Sequence, residues 1–312
     1  MTVLVMSALA APLVEGRLPD WVEPRFFRSI EELYALAPEA EIGWFDVQDY
    51  PKIAGAVRLA TRLRWLNSIF AGADYFPLDV LRERGVVFTN GTGINAITIA
   101  EFVVMGMLTV AKGYREIVRS QERHEWMDDA PGKVELAGSR ALILGYGAIG
   151  QKVDQLLQGF DMDVVKVRRS GGEGTLGPDE WRAELGTFDW VILSVPGTPE
   201  TERMIGAAEI AAMKPGSTLV NVARGSVVDQ DALVEGLKAG RPGHAFLDTV
   251  TPEPLPADHP LWSLPNAHVT SHLSGRAQTK MFQRSVDRLL TNLGRFRRGE
   301  PLQPQVDLTL GY

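Results

Sequence analysis

Residues 141–150 read Ala-Leu-Ile-Leu-Gly-Tyr-Gly-Ala-Ile-Gly. The first four, Ala141 to Leu144, are apolar without alternation, as expected of a strand covered on both faces. Gly145, Tyr146, Gly147, Ala148, Ile149 and Gly150 follow as a Gly-X-Gly-X-X-Gly turn, and Ile149–Gln158 continues as an amphipathic helix. A glycine triplet alone occurs in many turns; between a strand and a helix it marks a dinucleotide pyrophosphate site. Gly145 permits the tight turn, Gly147 lets backbone approach the phosphates, and Gly150 lets helix pack on strand. The helix N-terminus adds unpaired N–H donors and the positive end of its dipole. All six residues are expected to touch a bound dinucleotide.

Five more apolar runs follow at Val164–Val167, Trp190–Val195, Ser217–Val222, Ala245–Leu247 and His268–Thr270. Helical stretches at Ile149–Gln158, Ala207–Met213 and Gln230–Ala239 lie between strands of this series. Six strands in a βα series make a doubly wound parallel sheet. The first third repeats the pattern with strands near Thr2–Met6, Ile42–Phe45, Trp65–Ile69 and Val86–Thr89 and helices such as Ile30–Leu36 and Phe76–Arg84. Asn95–Ser120 reads as one long apolar helix leading from one series to the next, and Arg276–Gly299 as an amphipathic tail packing back on the first. The expected fold is α/β, two doubly wound (Rossmann-like and flavodoxin-like) parallel-sheet domains with a cleft between them. Residues 98–273 would form the cofactor domain, and 1–97 with 274–312 the substrate-binding domain.

Composition narrows the function. The chain has 312 residues, 45% hydrophobic and 23% charged, with 32 basic against 39 acidic residues, a net charge of −7. A nucleic-acid binder shows a basic excess or a dense basic patch; the short run Arg295-Phe296-Arg297-Arg298 reads as the solvated end of a helix, so no nucleic-acid partner is expected. There is no cysteine, which removes thiol nucleophiles and thiolate metal sites and fits a reducing cytoplasm. The apolar start, Met1–Val14, lacks a basic flank, the first basic residue being Arg17. The longest apolar run elsewhere, Phe102–Ala111, falls well short of the roughly 20 residues of a membrane span. A cytoplasmic protein without membrane or metal partners is expected.

The end of the second strand of the cofactor series selects the nucleotide. An acidic residue about 20 positions beyond the glycine motif accepts hydrogen bonds from the ribose of NAD. This chain has Arg168, Arg169 and Ser170 there. Two guanidiniums and a hydroxyl suit a 2′-phosphate through charge-assisted bonds. NADP(H) is therefore the expected cofactor, with NAD(H) second.

Three charged residues lie at the carboxyl ends of strands, where open α/β sheets bind ligands. They are Arg224 after Ser217–Val222, Glu253 after Ala245–Leu247 and His272 after His268–Thr270. With these segments, several others resemble the D-isomer-specific 2-hydroxyacid dehydrogenase family: Phe70-Ala71-Gly72-Ala73-Asp74, Asn95 to Glu101, Val195-Pro196-Gly197-Thr198-Pro199-Glu200-Thr201, Asn221–Gly225, Leu247-Asp248, Glu253-Pro254-Leu255 and Pro260-Leu261-Trp262. The likeness runs along nearly the whole chain, and the Arg-Arg-Ser end is similar to the NADPH-preferring glyoxylate/hydroxypyruvate reductase branch.

The resemblance implies a chemistry. Arg224 would bind the substrate carboxylate and carbonyl, where its planar fork suits a carboxylate. His272 would act as general acid, with Glu253 holding the imidazole and stabilising its protonated form. Backbone amides of Gly72 and Ala73 would hold the substrate carboxylate. The resemblance also places Thr98, Val195, Pro196, Thr201 and Ala223 at the cofactor; Asp248 stands either at its nicotinamide side or as a turn-closing residue. Of the five histidines, His268 reads as a strand residue and His259 as a turn residue. Many resembling sequences have proline where this chain has Ser271 and alanine where it has Ser274; Asp161 replaces a common glycine. Ile69, Phe70, Tyr75, Trp262 and Ser274 are expected near the substrate. The function implied is an NADPH-preferring reductase of small 2-oxo acids, as a homodimer joined through Ile97–Tyr114. The alternative of another class is a dinucleotide-sensing regulatory protein on the same fold. A formate dehydrogenase is disfavoured, because that branch has glutamine where Glu253 stands.

Overall fold

The computed structural model of the chain describes every residue except Gln48, Asp74 and Tyr312. Asp74, part of the segment quoted above, therefore lies outside the described residues. Two units divide the chain: Met1–Asn95 with Gln278–Tyr312, and Ala96–Ala277.

The first unit runs β1 (Thr2–Ser7), α1 (Ala11–Val14), β2 (Val22–Phe27), α2 (Ile30–Leu36), β3 (Ile42–Trp44), α3 (Tyr50–Leu59), β4 (Trp65–Asn67), α4 (Leu78–Glu83) and β5 (Val87–Thr89). The second contains α5 (Ala96–Ala111), α6 (Tyr114–Glu122), β6 (Arg140–Leu144), α7 (Ala148–Gln158), β7 (Asp163–Val167), β8 (Trp190–Leu193), α8 (Ala207–Ala212), β9 (Thr218–Asn221), α9 (Gln230–Lys238), β10 (His244–Leu247) and β11 (Ala267–Val269). The chain then returns to the first unit with α10 (Met281–Arg298).

In the first unit a parallel sheet runs β2-β1-β3-β4-β5. Alternation sends Val5 to one face and Leu4 and Met6 to the other, where Val286, Leu289 and Leu293 of α10 cover them. Sequence reading passes over β2, Val-Glu-Pro-Arg-Phe-Phe, because it lacks an apolar run. Its place explains this: it is the sheet edge, where a proline is tolerated.

The second sheet has the order β7-β6-β8-β9-β10-β11, again parallel. Leu142, Leu144, Val191 and Leu193 face α8 and α9, whereas Ala141, Ile143, Trp190 and Ile192 face α5 and α7. Beyond β7 one further parallel rung forms at Leu176, which bonds through its N–H to Lys166 O (2.8 Å) and accepts from Arg168 N (3.0 Å). With that rung as the edge, the strand order is that of a dinucleotide fold, and the order reverses between β6 and β8, where such folds bind ligand.

The long helix expected over Asn95–Ser120 is two helices, bent by 70° at Lys112–Gly113. Gly113 adopts φ +61°, and residues 131–134 pack into the elbow so closely that a Cβ on Gly132 would sit 2.3 Å from Gly113 N. The apolar pattern carries across the elbow and hides it from periodicity. Among the described residues no single helix is long and apolar enough to cross a membrane.

Candidate active site

The glycine loop stands at the carboxyl end of β6. Gly145 has φ +101°, and a Cβ there would lie 2.7 Å from the Ser194 carbonyl, so only glycine fits the crossing of the β6 and β8 ends. Amides of Gly145 and Tyr146 both donate to Val167 O, at 3.1 and 3.0 Å, closing the turn. Gly150 brings α7 against the loop: a Cβ would be 2.3 Å from Gly145 O. Gly147 differs. It caps α7 in an extended conformation, and nothing lies within 4 Å of where its Cβ would be. Open space over a helix N-terminus, whose first N–H groups have no intrahelical acceptor, fits a pyrophosphate. Ala148 and Ile149 form the first turn of that helix. Tyr146 is tied away to α7: its hydroxyl donates to Asp154 Oδ2 at 2.6 Å, which pushes the phenol up to about 12. Lys166 neutralises Asp154 at 3.2 Å.

Arg168, Arg169 and Ser170 follow β7 and are exposed. Arg169, Ser170, Gly171 and Gly172 line an open depression together with Thr175 and residues 177–180. Arg169 is close enough to Glu200 to help hold that carboxyl below its usual range, after hydrogen bonds to Thr198 and to backbone. The Arg-Arg-Ser turn and the segment Val195–Thr201 therefore share one end of the sheet. In that segment Thr201 Oγ1 donates to Pro196 O at 2.7 Å and accepts from Thr198 N at 2.9 Å.

Glu253 and His272 meet across two loops, and the Arg224 loop, where Arg224 Nη1 donates to Ala223 O at 2.8 Å, packs against the Glu253 loop. Asn221, buried at the end of β9, shapes the Arg224 loop: its Oδ1 accepts from Ala223 N (3.0 Å) and its Nδ2 donates to Arg224 O (3.0 Å). Gly197 lies over the arginine stem, leaving 2.9 Å between its ideal Cβ and Arg224 Cγ. Gly225 brings the Arg224 loop against the Glu253 loop: a Cβ would lie 2.0 Å from Val250 O. Glu253 Oε1 accepts from Val250 N at 3.2 Å, and Oε2 meets His272 Nδ1 at 2.8 Å. Both side chains are about two-fifths exposed, 43% for His272 and 38% for Glu253, so the pair reaches solvent at the site. Sequence reasoning missed Asn221, Gly197 and Gly225 as site residues. The signal for Asn221 is a polar residue ending an apolar strand.

Asp248 closes a turn. It is 1% exposed; Oδ1 accepts from Thr270 Oγ1 (2.7 Å), Leu273 N (2.9 Å) and Ser274 N (3.2 Å), and Oδ2 from the Ser274 hydroxyl. Thr98, on the first turn of α5, is buried and donates to Ala277 O at 2.9 Å, holding the segment that follows His272. The other histidines serve elsewhere. His268 on β11 is pushed down to about 4, chiefly by burial and then by Arg115, so it is neutral near pH 7. His259 accepts from Leu261 N at a 3₁₀ turn. Within the first unit, Gly72 and Ala73 follow β4 in a loop held by Asp46, which accepts from Ile69 N (2.6 Å) and Ser68 Oγ (2.8 Å), and by Asn90, which donates to Ala71 O (2.6 Å).

A dinucleotide loop, a histidine–carboxylate pair and an arginine on one sheet end define a nicotinamide-dependent oxidoreductase. The family model described as D-isomer specific 2-hydroxyacid dehydrogenase, NAD binding domain, matches residues 104–274, more than half the chain. Glyoxylate/hydroxypyruvate reductase B of Pectobacterium atrosepticum is 31% identical over 292 residues, covering 85% of this chain and 91% of that protein. D-3-phosphoglycerate dehydrogenase of Archaeoglobus fulgidus is 30% identical over 92% of this chain and 55% of its own length. The solved structure of a D-isomer specific 2-hydroxyacid dehydrogenase family protein from Aeromonas salmonicida superposes with a TM-score of 0.87 at 28% identity, covering 98% of this chain and 99% of that one. The chain belongs to the D-isomer-specific 2-hydroxyacid dehydrogenase family, and its cofactor is a nicotinamide dinucleotide.

Proposed function

We propose that the chain is an NADPH-preferring reductase of small 2-oxo acids of the glyoxylate/hydroxypyruvate type, yielding D-2-hydroxy acids. The observation that carries this reading is the 2.8 Å His272 Nδ1–Glu253 Oε2 pair, set at the strand ends beside the Arg224 loop. The name of the Pectobacterium relative, at 31% identity, supports the substrate class.

Residues 145–150 would hold the nicotinamide dinucleotide, which when bound would supply the hydride chemistry of a carbonyl reduction. His272 gives its Nε2 proton to the carbonyl oxygen, because Nδ1 is engaged by Glu253. Glu253, itself fixed by Val250 N, holds the ring and stabilises imidazolium before transfer. Arg224 binds the substrate carboxylate through its planar fork. Arg168, Arg169 and Ser170 provide cationic and hydroxyl contacts for a 2′-phosphate.

The working form is a homodimer. Ile97, Met105, Tyr114 and Ile117 expose apolar surface on α5 and α6, and Trp126 in the segment that follows is 93% exposed. A second copy of the chain accounts for that surface.

The test is loss of reduced-nicotinamide absorbance with glyoxylate, hydroxypyruvate and pyruvate, NADPH and NADH in parallel. Replacing His272→Ala should lower turnover by roughly 10²–10⁴-fold, the usual worth of a positioned acid, while dinucleotide affinity stays. Unchanged turnover in that variant would overturn the acid assignment.

A further inference from the structure

Ser271 and His272 hold φ angles of +55° and +56°. L side chains disfavour this left-handed region, and two such residues in succession persist only where the surroundings over-determine them. Here the surroundings are one buried carboxylate. Asp248 grips both sides of the pair: Thr270 Oγ1 before it, and Leu273 N, Ser274 N and the Ser274 hydroxyl after it. Between them, His272 N donates to the Asp248 backbone carbonyl at 2.7 Å. Asp248 is anchored at the end of β10 by its own N–H, which donates to Asn221 O at 2.9 Å. Ser274 is 2% exposed, so its hydroxyl is committed to this carboxylate rather than to water.

We infer that Asp248 and Ser274 are positioning residues that hold the left-handed turn at Ser271–His272 and so aim the His272 ring at Glu253 and the substrate. The two departures from resembling sequences then belong together. A proline at position 271 would fix φ near −65°, roughly 120° from the angle this backbone adopts. The turn is held instead from position 274, by a hydroxyl that alanine would not supply. The role given to His272 rests on the reading in the preceding subsection; the geometry of the turn does not.

The test compares Ser271→Gly, Ser271→Pro and Ser274→Ala in the full-length protein. Glycine accepts a positive φ without strain, so Ser271→Gly should change kcat by less than about threefold. Ser271→Pro should lower kcat by about 100-fold, the cost of an ångström-scale misplacement. Ser274→Ala should lower kcat by about tenfold by the same reasoning. In Ser274→Ala the pH profile of kcat should also move, whereas dinucleotide affinity stays within about twofold, since the glycine loop is untouched. Equal kcat in the glycine and proline variants overturns the inference, as does a Ser274→Ala enzyme with the wild-type kcat and pH profile. The imidazole ¹⁵N resonances of His272 give a readout independent of turnover. A change of tautomer or titration midpoint in Ser274→Ala supports the inference, and superimposable titrations overturn it. If the wild-type protein turns over no 2-oxo acid, the reductase reading fails and the resonances alone decide the turn.

Discussion

Replacing Gly225→Ala adds one methyl group at the seam between the Arg224 and Glu253 loops. The ideal Cβ would lie 2.0 Å from Val250 O, 2.2 Å from Val250 C and 2.5 Å from Thr251 Oγ1. Ordinary contact begins at 3.4 Å, so one loop must retreat by about 1.4 Å from the carbonyl. The obstacle is backbone and cannot rotate aside. Gln230 clamps Thr251 from both sides, donating to its carbonyl and accepting from its N–H at 2.9 Å, so the displacement passes to Arg224 or to Glu253. An error of about 1 Å in a catalytic group costs on the order of 100-fold, or about 2.7 kcal/mol of barrier. Overpacking adds a stability loss of roughly 1–3 kcal/mol. Gly225→Ala should therefore fold with a lowered melting temperature and lose about 100-fold in kcat/KM for glyoxylate. Dinucleotide affinity by fluorescence quenching should remain, because the glycine loop lies elsewhere on the sheet. A variant within twofold of wild type, at an unchanged melting temperature, would refute the claim that this seam sets the site.

Gly147→Ala makes the opposite test: its Cβ meets nothing within 4 Å, so the melting temperature should hold, while dinucleotide affinity should fall by about tenfold as the methyl occupies the phosphate space. Isothermal titration beside a thermal melt separates the two effects, and wild-type affinity would reject the placement. Replacing Arg168→Ala and Arg169→Ala together should raise the KM for NADPH by roughly 10–100-fold, a charge-assisted bond or two in solvent, and that for NADH by less than threefold; equal changes would dismiss the 2′-phosphate assignment. Burial raises Asp46 to about 6, against hydrogen bonds from Ile69 N, Ser68 and Trp44. Its folded value lies above the unfolded one, so its stabilising effect is complete below about pH 4 and is lost as pH rises through about 6. The loss is at most about 3 kcal/mol, and less because the residue keeps partial contact with solvent. Urea unfolding of wild type and Asp46→Asn at pH 4 and 6.5 should show this decline in wild type alone; parallel curves would contradict it.

Much of the fold was legible because burial on both faces writes itself as uninterrupted apolar runs. The central strands β6 and β8 appear that way, and the glycine triplet falls at the end of β6; β7 and β11, which carry Lys166 and His268, are only partly buried and less plainly written. β2 was not legible, since an edge strand need not be apolar. The elbow at Gly113 was hidden because both helices continue one apolar pattern across it. At the site, charged residues at strand ends could be listed from sequence, but their meeting could not. The His272–Glu253 contact depends on Gly225 and on a carboxylate, Asp248, whose partners lie 22–26 residues downstream. From sequence alone Asp248 stands between two roles. In this structure its carboxylate organises a turn, a role local sequence does not distinguish from facing a cofactor.

The single rung at Leu176 has a consequence for how such a protein changes its coenzyme. Residues 168–175 hang between the last rung of β7 and one isolated rung, held there by two backbone hydrogen bonds. No core strand follows at that edge, so altering or lengthening this stretch re-registers nothing else in the sheet. On the reading proposed above, a choice of nucleotide made at Arg168–Ser170 would lie in a segment tied to the sheet by one rung, separable from folding and from the loops that carry His272 and Glu253. Exchange of this short segment between relatives should transplant coenzyme choice while leaving the barrier for the chemical step where it was.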